Sequence, residues 1–426
     1  MHTRMVGQFE NAFSALRHRN FRLFWFGQCV SLIGTWMQTI GQSWLVMELT
    51  NSKEALGLVA AIQFFPMMLF ALFSGAIADK LPKRKVIIAC QSCLMMLALV
   101  LASLTYFKVV QYWHILVLAG LLGLVNSLDM PTRQAFFAEL VGKEDLMNAI
   151  ALNSTIFNIA RIIGPAIAGF LISLIGIAIC FYLNGLSFVA VLIGLCLIRL
   201  PVEASATGTA KSNSVREVLR NTGEGLRYIF ARPIIYLPLL LLAMVSIFVI
   251  NFNVFVPLVA KDILGQDARG FGILMSAMGC GSLLGALTLA AKSRSGPKLR
   301  VLLTGALGMC LLVIALGCLR IFWLSAVTLF GVGFSMISFT ASTNTLIQLN
   351  TEDGMRGRVM GVYALVFGGV TPIGSLIAGT LAERIGSGYA LAVCGSAGVL
   401  ALGVVYIAYL RINRRVERGQ GVAANL

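Results

Sequence analysis

The chain has 426 residues, of which 58% are hydrophobic and only 12% charged, and its mean hydropathy is +0.88. A soluble globular protein carries about 25% charged residues, so this composition excludes a soluble protein with polar surfaces and indicates that lipid surrounds most of the chain. The formal net charge of +16 raises the alternative of a nucleic-acid-binding protein.

Twelve apolar runs recur along the chain, each long enough to cross a bilayer as a helix of about 20 residues. They begin near Phe21, Ala55, Val86, Trp113, Asn148, Ala178, Ile234, Ala268, Val301, Trp323, Val359 and Tyr389. Barrel strands would be about 10 residues long and would alternate in hydropathy, and these runs do neither. We therefore predict twelve transmembrane α-helices. No cleavable signal peptide is expected, because the first 20 residues lack an apolar core.

The basic residues are distributed unevenly between the two sides of the predicted membrane. With twelve spans and both termini on one side, 26 of the 33 lysines and arginines fall on that side, six fall on the other, and Arg161 lies inside a span. An excess of Lys and Arg marks the cytoplasmic side of membrane proteins. We therefore predict cytoplasmic termini, an inner surface that contacts anionic lipid headgroups, and no nucleic-acid partner.

Amide side chains recur in three of the predicted spans. The first span contains Gln38 and Gln42, which are four residues apart and share a helix face. The others are Asn153 and Asn158 in the fifth span and Asn251 and Asn253 in the seventh. In lipid these amides should point inward, where two functions stay open: they line a cavity for a fairly large organic molecule, or they hold helices together.

The loop between the second and third spans carries an unusual mixture of residues, "GAIADKLPKRK". Gly75 allows close approach of a neighbouring helix, and the Asp79 carboxylate can accept hydrogen bonds at the positive N-terminal end of a helix. The cations that follow also keep the loop on the inner side. Topology alone explains the cations, but it does not explain the spacing from Gly75 to Asp79.

Two charged residues lie within the apolar runs. Asp129 lies near the inner end of the fourth span and is our candidate for a group that binds and releases a proton, with a structural ion pair at the inner side as the alternative. Arg161 lies deep in the fifth span, where a centred charge costs at least about 2.5–3.5 kcal/mol. Arg161 should therefore face a cavity or a partner: a substrate anion, Asp129 or helix-end carbonyls, unless it forms a structural pair or snorkels inward.

The other reactive side chains do not assemble into a site. Cys90 and Cys93 have the Cys-x-x-Cys spacing of redox and metal sites, but no histidine or second cysteine pair lies near them in the sequence. The three histidines are scattered, and no Gly-x-x-x-x-Gly-Lys-[Ser/Thr] phosphate loop occurs. We therefore predict no metal, no cofactor and no enzymatic activity, against the alternative of a multi-span membrane enzyme.

Internal matches recur at a constant offset of 210 residues. Gly75 in "GAIADKLPKRK" corresponds to Gly285 in "GALTLAAKSRS", and Gly164 in "GPAIAGFLISLIG" corresponds to Gly374 in "GSLIAGTLAERIG". One offset at several places indicates duplication. At the same offset Asp79 falls on Leu289, so the second half lacks the acid.

The predicted fold is an all-α membrane protein of two six-helix repeats. A polar segment separates the repeats, and its second part has helical apolar spacing with several arginines, which is typical of a helix lying on a membrane surface. The predicted parts are an N-terminal half at 1–200, a cytoplasmic linker with an amphipathic helix at 201–233, and a C-terminal half at 234–426.

This plan resembles that of the major facilitator transporters, whose substrate site lies at the midplane between two parallel repeats. The family signature between the second and third helices is matched by Gly75, Asp79, Lys80, Lys83 and Arg84. Pro82 stands where the family usually has a second glycine. The resemblance implies an inner gate in which Asp79 bridges to the eleventh helix, with Arg133 and Arg358 as its candidate partners.

The fifth span resembles the helix 5 motif of major facilitator exporters in part. The similarity rests on "NIARIIGPAIAG", which contains Arg161, Gly164, Pro165 and Gly169, while the usual earlier glycines are absent. Proline bends a helix because it removes an internal hydrogen bond. Helix packing alone would also explain the Gly-Pro pair.

Longer stretches resemble one branch of the family, the enterobactin-exporter and macrolide-efflux-like group. They include "MPTRQAFFAELVGKEDLMNAIALNS" and "EDGMRGRVMGVY". The resemblance implies a multi-pass antiporter of the bacterial cytoplasmic membrane that exports a siderophore or a hydrophobic drug. We expect it to be a monomer, and our candidate for proton coupling is Asp129. An importer of the same fold stays open as the alternative.

Overall fold

The computed structural model describes residues 13–199, 215–291 and 299–417. The side chains of residues 71–80, 215–219, 221 and 413–417 are outside this description. The described residues are almost entirely helical and contain no β-strand. This agrees with the all-α prediction, because only helices and closed barrels satisfy every backbone hydrogen bond within lipid.

Six long helices form the first half, after a short 3₁₀ turn at Ser14–Arg17. They are α1 (Arg19–Thr50), α2 (Lys53–Lys80), α3 (Lys83–Tyr106), α4 (Tyr112–Val141), α5 (Leu146–Ile175) and α6 (Ala178–Leu197). The boundaries follow local chemistry. Asn51 ends α1 in a left-handed conformation, and the Ser52 side chain accepts a hydrogen bond from Ala55 N–H at the start of α2.

The connector and the second half follow in the chain. They are α7 (Val215–Phe230), α8 (Pro233–Phe248), α9 (Phe252–Leu258), a π-helical turn (Val259–Ile263), α10 (Ala268–Ala291), α11 (Leu299–Cys318), α12 (Phe322–Leu349), α13 (Asp353–Gly369), α14 (Thr371–Ile385) and α15 (Ser387–Glu417). The seventh predicted span is thus interrupted near Asn251, and the eleventh is interrupted at Val370.

Eleven segments among the described residues are long and apolar enough to cross a membrane. The helix missing from that set is α1, which has 32 residues and buries Gln28, Gln38 and Gln42. Its length exceeds the span requirement, and it packs along α5 and α6 inside the bundle. The structure therefore agrees with twelve membrane-crossing segments, one of which is more polar because it lines the interior.

Equivalent helices pack together in the two repeats. In the first half α1 packs on α6, α2 on α4, and α3 on α6; in the second half α8 packs on α15, α10 on α12, and α11 on α15. The halves meet through two long crossings, α2 with α14 and α5 with α10. Exchanging one repeat for the other turns the first crossing into the second. The bundle therefore has the internal symmetry that the 210-residue offset predicts.

Glycines allow the close approach at both crossings. A Cβ on Gly169 of α5 would lie 2.6 Å from the Ala268 carbonyl oxygen and 3.2 Å from the Cα of Gly272. A Cβ on Gly379 of α14 would lie 2.8 Å from the Lys53 carbonyl oxygen and 3.0 Å from the Cα of Gly57. Gly169 and Gly379 are equivalent at the 210-residue offset, so both repeats contribute the same glycine to the contact between the halves.

Candidate functional site

A cavity of about 360 Å³ opens among the helices of the first half. Its described walls come from α1, α2, α4, α5 and α6, with Leu94 from α3 and Asn253 from α9. Asn253 is the only described wall residue from the second half. The cavity therefore lies on the first-half side of the interface rather than being shared equally, as the midplane site of the resemblance would imply.

Four of the six amides singled out in the sequence lie on the cavity wall: Gln38, Gln42, Asn153 and Asn253. Gln42 Nε2 donates to Gln63 Oε1 at 2.9 Å, which links α1 to α2. Gln38 Oε1 accepts from Asn184 Nδ2 at 2.6 Å, which links α1 to α6. The two glutamines thus hold helices together and also present polar groups to the cavity.

The other two amides lie outside the cavity wall. Asn158 donates to the Ser154 carbonyl oxygen at 2.8 Å within its own helix. Asn251 is buried and donates to the Ile247 carbonyl oxygen at 2.7 Å, where α8 ends and α9 begins. Asn251 therefore satisfies the backbone at the interruption of the seventh span.

Asp129 and Arg133 form an ion pair on one face of α4, four residues apart. Asp129 is completely buried, whereas Arg133 reaches the cavity wall. Gln91 Nε2 donates to Asp129 Oδ1 at 3.0 Å, and Arg133 donates to Gln28 Oε1 at 2.6 Å. The partner of Asp129 is thus Arg133 rather than Arg161, which the sequence offered as one alternative.

Arg161 lies near the middle of α5 and is half-buried. Its guanidinium carbon lies 5.8 Å from the centroid of the Trp36 ring, and its Nη2 lies 3.9 Å from the Met336 sulfur on α12. Among the described side chains, no carboxylate lies within ion-pair distance of Arg161, and its Nε has no hydrogen-bond partner. Among the described residues, the contacts of this mid-span charge are thus the Trp36 ring and the Met336 sulfur.

The helix 5 motif acts through packing on both of its neighbours. A Cβ on Gly164 would lie 2.5 Å from the Trp36 Cβ, so this glycine sets the crossing of α5 with α1. Pro165 lies inside α5, and its carbonyl oxygen closely approaches Gly272 of α10. Gly169 sets the crossing with α10 described above. The motif thus brings Arg161 to the boundary between the two halves.

The predicted inner-gate residues are described only in part. The side chains of Gly75, Asp79 and Lys80 lie outside the described residues, although α2 continues to Lys80. Lys83 pairs with Glu139 at 2.6 Å, and Arg84 donates to the carbonyl oxygens of Leu195 and Cys196 at 2.8 and 3.0 Å. These contacts stay within the first half.

Arg358 forms an ion pair with Glu224 of the connector helix α7, at 2.6 Å. A second contact joins the same two regions, since Arg232 pairs with Glu352 at 2.5 Å and stacks on the Tyr228 ring at 3.9 Å. The connector is thereby fixed to the start of α13. In the described structure Arg358 therefore pairs with Glu224, and Arg133 pairs with Asp129.

A charged cluster at the opposite end of the bundle was not assigned from the sequence. The carboxylate of Glu383, at the end of α14, accepts hydrogen bonds from Ser52 Oγ and from the backbone N–H groups of Lys53 and Glu54. Lys53 also pairs with Asp262 at 3.0 Å. This cluster joins the halves at the end predicted to face outside.

The sequence profile of the transmembrane secretion effector family, a part of the major facilitator superfamily, matches residues 10–421. The chain belongs to this family. The match covers nearly the whole chain and agrees with the resemblance carried by the loop and helix 5 motifs.

Relatives of this major facilitator protein include transporters of siderophores and drugs. It is 26% identical over 404 residues to the staphyloferrin A transporter of Staphylococcus aureus, covering 93% of this chain and 97% of the relative. It is 28% identical over 382 residues to the multidrug efflux pump Tap of Mycolicibacterium fortuitum, covering 88% and 91%. It is 24% identical over 421 residues to the enterobactin exporter EntS of Shigella flexneri, covering 94% of each.

The fold is shared with solved transporters. A bacterial homologue of the human lysosomal transporter Spinster, in an inward-facing and occupied conformation, matches with a TM-score of 0.73 at 13% identity, over 92% of this chain and 97% of that one. The prediction of a major facilitator fold, in the branch of enterobactin exporters and efflux proteins, is therefore confirmed.

Proposed function

We propose that the protein is a secondary exporter that moves a small organic molecule out of the cytoplasm by alternating access, in exchange for protons. Transport through a membrane follows from membership of the family. The direction is supported by relatives, since Tap is described as an efflux pump and EntS as an exporter. A single chain performs the cycle, without a metal or a cofactor.

The observation that carries the proposal is the buried pair of Asp129 and Arg133 beside the cavity. Because Asp129 is completely buried, its ionised form depends on the Arg133 guanidinium. A proton that binds Asp129 releases Arg133, which stays hydrogen-bonded to Gln28. Protonation thus changes the net charge of the pair by one unit, and this change links the proton to the binding of cargo.

The polar groups around the ion pair can form a second set of hydrogen bonds. Three buried polar atoms beside it have no partner among the described residues: Gln28 Nε2, Gln91 Oε1 and Arg133 Nε. A partly satisfied polar network costs free energy in any one arrangement. Such a network favours exchange of partners when the carboxyl group gains a proton, which a coupled transporter requires.

In this cycle, the contacts between the halves support a state in which the outer side of the protein is closed. Ser276 of α10 donates to the Ile162 carbonyl oxygen at 2.7 Å near the middle of the bundle. Further along, Glu383 binds the start of α2, and Lys261 donates to the Met47 carbonyl oxygen at 2.8 Å. In this proposal these contacts form the closed outer gate, and the loop that contains Asp79 forms the inner gate of the opposite state.

Transport into inverted membrane vesicles tests the proposal. A panel of siderophores and hydrophobic drugs is offered with an acidic lumen, and accumulation of at least one compound is expected, with loss on addition of a protonophore. Asp129→Asn should abolish the accumulation that depends on the gradient. Glu144→Gln serves as the control, because Glu144 is an exposed acid in the loop that follows α4.

Three results would contradict the proposal. Accumulation that is indifferent to the protonophore would exclude proton coupling. Gradient-driven accumulation that persists in full with Asp129→Asn would exclude this carboxyl group as the coupling site. Movement of cargo out of the inverted vesicles along the proton gradient would identify an importer of the same fold.

A further inference from the structure

Arg161 lies beyond the cavity wall, on the same α5 face as two wall residues. Asn153, Phe157 and Arg161 are spaced by four residues, which places them on one face of the helix. Asn153 and Phe157 both lie on the cavity wall. The Trp36 ring, which also lines the cavity, contacts Phe157 at a centroid distance of 5.8 Å and lies against the Arg161 guanidinium. Arg161 therefore lies at the end of an aromatic and amide wall.

The charge of Arg161 is not balanced by the described protein. Arg133, the other arginine near the cavity, has Asp129 as its ion-pair partner. Arg161 has only the Trp36 ring and the Met336 sulfur, which is a weak acceptor. Its Nε has no partner, and no described carboxylate lies within ion-pair distance. Among the described residues, Arg161 thus carries a positive charge with no ion-pair partner next to the cavity wall, at the boundary between the halves.

A charge near the middle of a span persists only where a cavity or a partner stabilises it. Arg161 as a residue is only partly buried, although its Nε is buried, and its planar guanidinium fork matches the geometry of carboxylates and other oxyanions. The neighbouring rings of Trp36 and Phe157 offer flat apolar surface. An anion attached to a flat or ring-like apolar group would satisfy all of these groups at once.

We infer that Arg161 and Trp36 form an anion-binding subsite, and that the cargo carries an anionic group next to an apolar, ring-like portion. This inference rests on the proposed function for the statement that the bound molecule is transported. The amides of the cavity wall then bind the remaining polar groups of the cargo. Because Met336 belongs to α12, an anion bound at Arg161 also contacts the boundary that moves when the halves separate.

A matched pair of fluorescent probes tests the subsite directly. The anion 8-anilinonaphthalene-1-sulfonate and neutral N-phenyl-1-naphthylamine share their aromatic rings and differ by the sulfonate. Titration into the purified full-length protein in nanodiscs, corrected for empty nanodiscs, gives the affinity for each. Arg161→Gln should lower the affinity for the sulfonate about tenfold, the usual consequence of losing a charge-assisted hydrogen bond, and should leave the neutral probe unchanged.

Arg269→Gln is the matched control. Arg269 also lies in contact with an α5 ring, with its guanidinium carbon 5.5 Å from the Phe170 centroid, but it is exposed and lies outside the cavity wall. Its replacement should change neither affinity. Arg161→Lys keeps the charge and should retain a preference for the sulfonate that weakens as salt rises. That variant decides the question if Arg161→Gln does not elute as a folded protein.

The inference is overturned if Arg161→Gln, or Arg161→Lys at high salt, weakens both probes equally or leaves the sulfonate unaffected. Failure of the proposed function gives a different result. If no compound accumulates with the proton gradient in vesicles while the sulfonate preference still depends on Arg161, the anion subsite stands and the exporter does not. If accumulation is proton-driven and the preference is independent of Arg161, only the subsite fails.

Discussion

Glu383 should stabilise the closed outer gate, and Glu383→Gln should shift the protein toward an outward-open state. Its carboxylate, at the end of α14, accepts hydrogen bonds from Ser52 Oγ at 3.2 Å and from the backbone N–H groups of Lys53 at 2.7 Å and Glu54 at 3.3 Å. The last two are N-terminal donors of α2, which have no partner within that helix. An acid of one half thus caps a helix of the other.

The magnitude follows from these contacts. A carboxylate at a helix N-terminus contributes about 0.3–1 kcal/mol, and a lost capping side chain costs about 1 kcal/mol. Glu383 is exposed, so solvent reduces the contribution of its charge. We expect a total of about 1–2 kcal/mol, which corresponds to a shift of roughly 5–30-fold in the ratio of closed to open outer gates.

Distance measurements between spin labels report this ratio. Trp113 and Trp323 are exposed, lie near the predicted outer ends of α4 and α12, and are equivalent at the 210-residue offset. Nitroxide labels on Trp113→Cys and Trp323→Cys, in a background without the nine native cysteines, should give mainly a short distance. Glu383→Gln should transfer population to a longer distance.

Glu48→Gln is the control for this experiment. Glu48 is also an acid near the predicted outer end, but its carboxylate accepts from Trp44 Nε1 at 2.8 Å within α1 and does not bridge the halves. An unchanged distance distribution in a folded Glu383→Gln variant would refute the capping argument. An equal change with Glu48→Gln would show that any lost outer charge has this effect.

Two further predictions concern packing and pH. Gly169→Ala should separate the outer ends and lower the free energy of unfolding by about 1–3 kcal/mol through overpacking. Gly403→Ala should do neither, because Gly403 faces open space. The same spin labels and a thermal melt measure the two effects. Hydrogen bonds from Ser14 and His18 lower the pKa of Asp145, so its contribution to stability is present above about pH 4 and is lost as the pH falls through the folded-state pKa. The melting temperature should therefore be lower for Asp145→Asn than for the wild type at pH 7, with the gap closing in acid; a gap that stays constant would contradict this.

The sequence predicts the fold because the bilayer imposes a strong pattern on the chain. Apolar length identifies the spans, and the offset that relates Gly164 to Gly374 identifies the repeats. The interruptions of two spans near Asn251 and Val370 were not predicted, since the few polar residues around them do not lower the hydropathy enough to end a span. Local backbone breaks of this kind depend on neighbouring helices that satisfy the freed groups.

The candidate site was predicted less completely than the fold. The pairing of Asp129 with Arg133 had a signal in the sequence, because opposite charges four residues apart meet on a helix. The contact of Glu383 with Ser52 had none, since 331 residues separate them and only tertiary packing brings them together. The location of the cavity in the first half likewise depends on the tilt and rotation of helices, which hydropathy does not encode.

The two repeats share their packing residues but differ in their charges. Gly169 and Gly379 are equivalent at the 210-residue offset and both close a crossing between the halves. The charged residues of the site have no such equivalents, since Asp129, Arg133 and Arg161 correspond to Phe339, Thr343 and Thr371. Both repeats have therefore kept the glycines that allow close packing between the halves. Among the described wall residues of the cavity, the charged side chain is Arg133 of the first half. We therefore expect variants of the second-half glycines to affect the packing between the halves more than the binding of a ligand in the cavity.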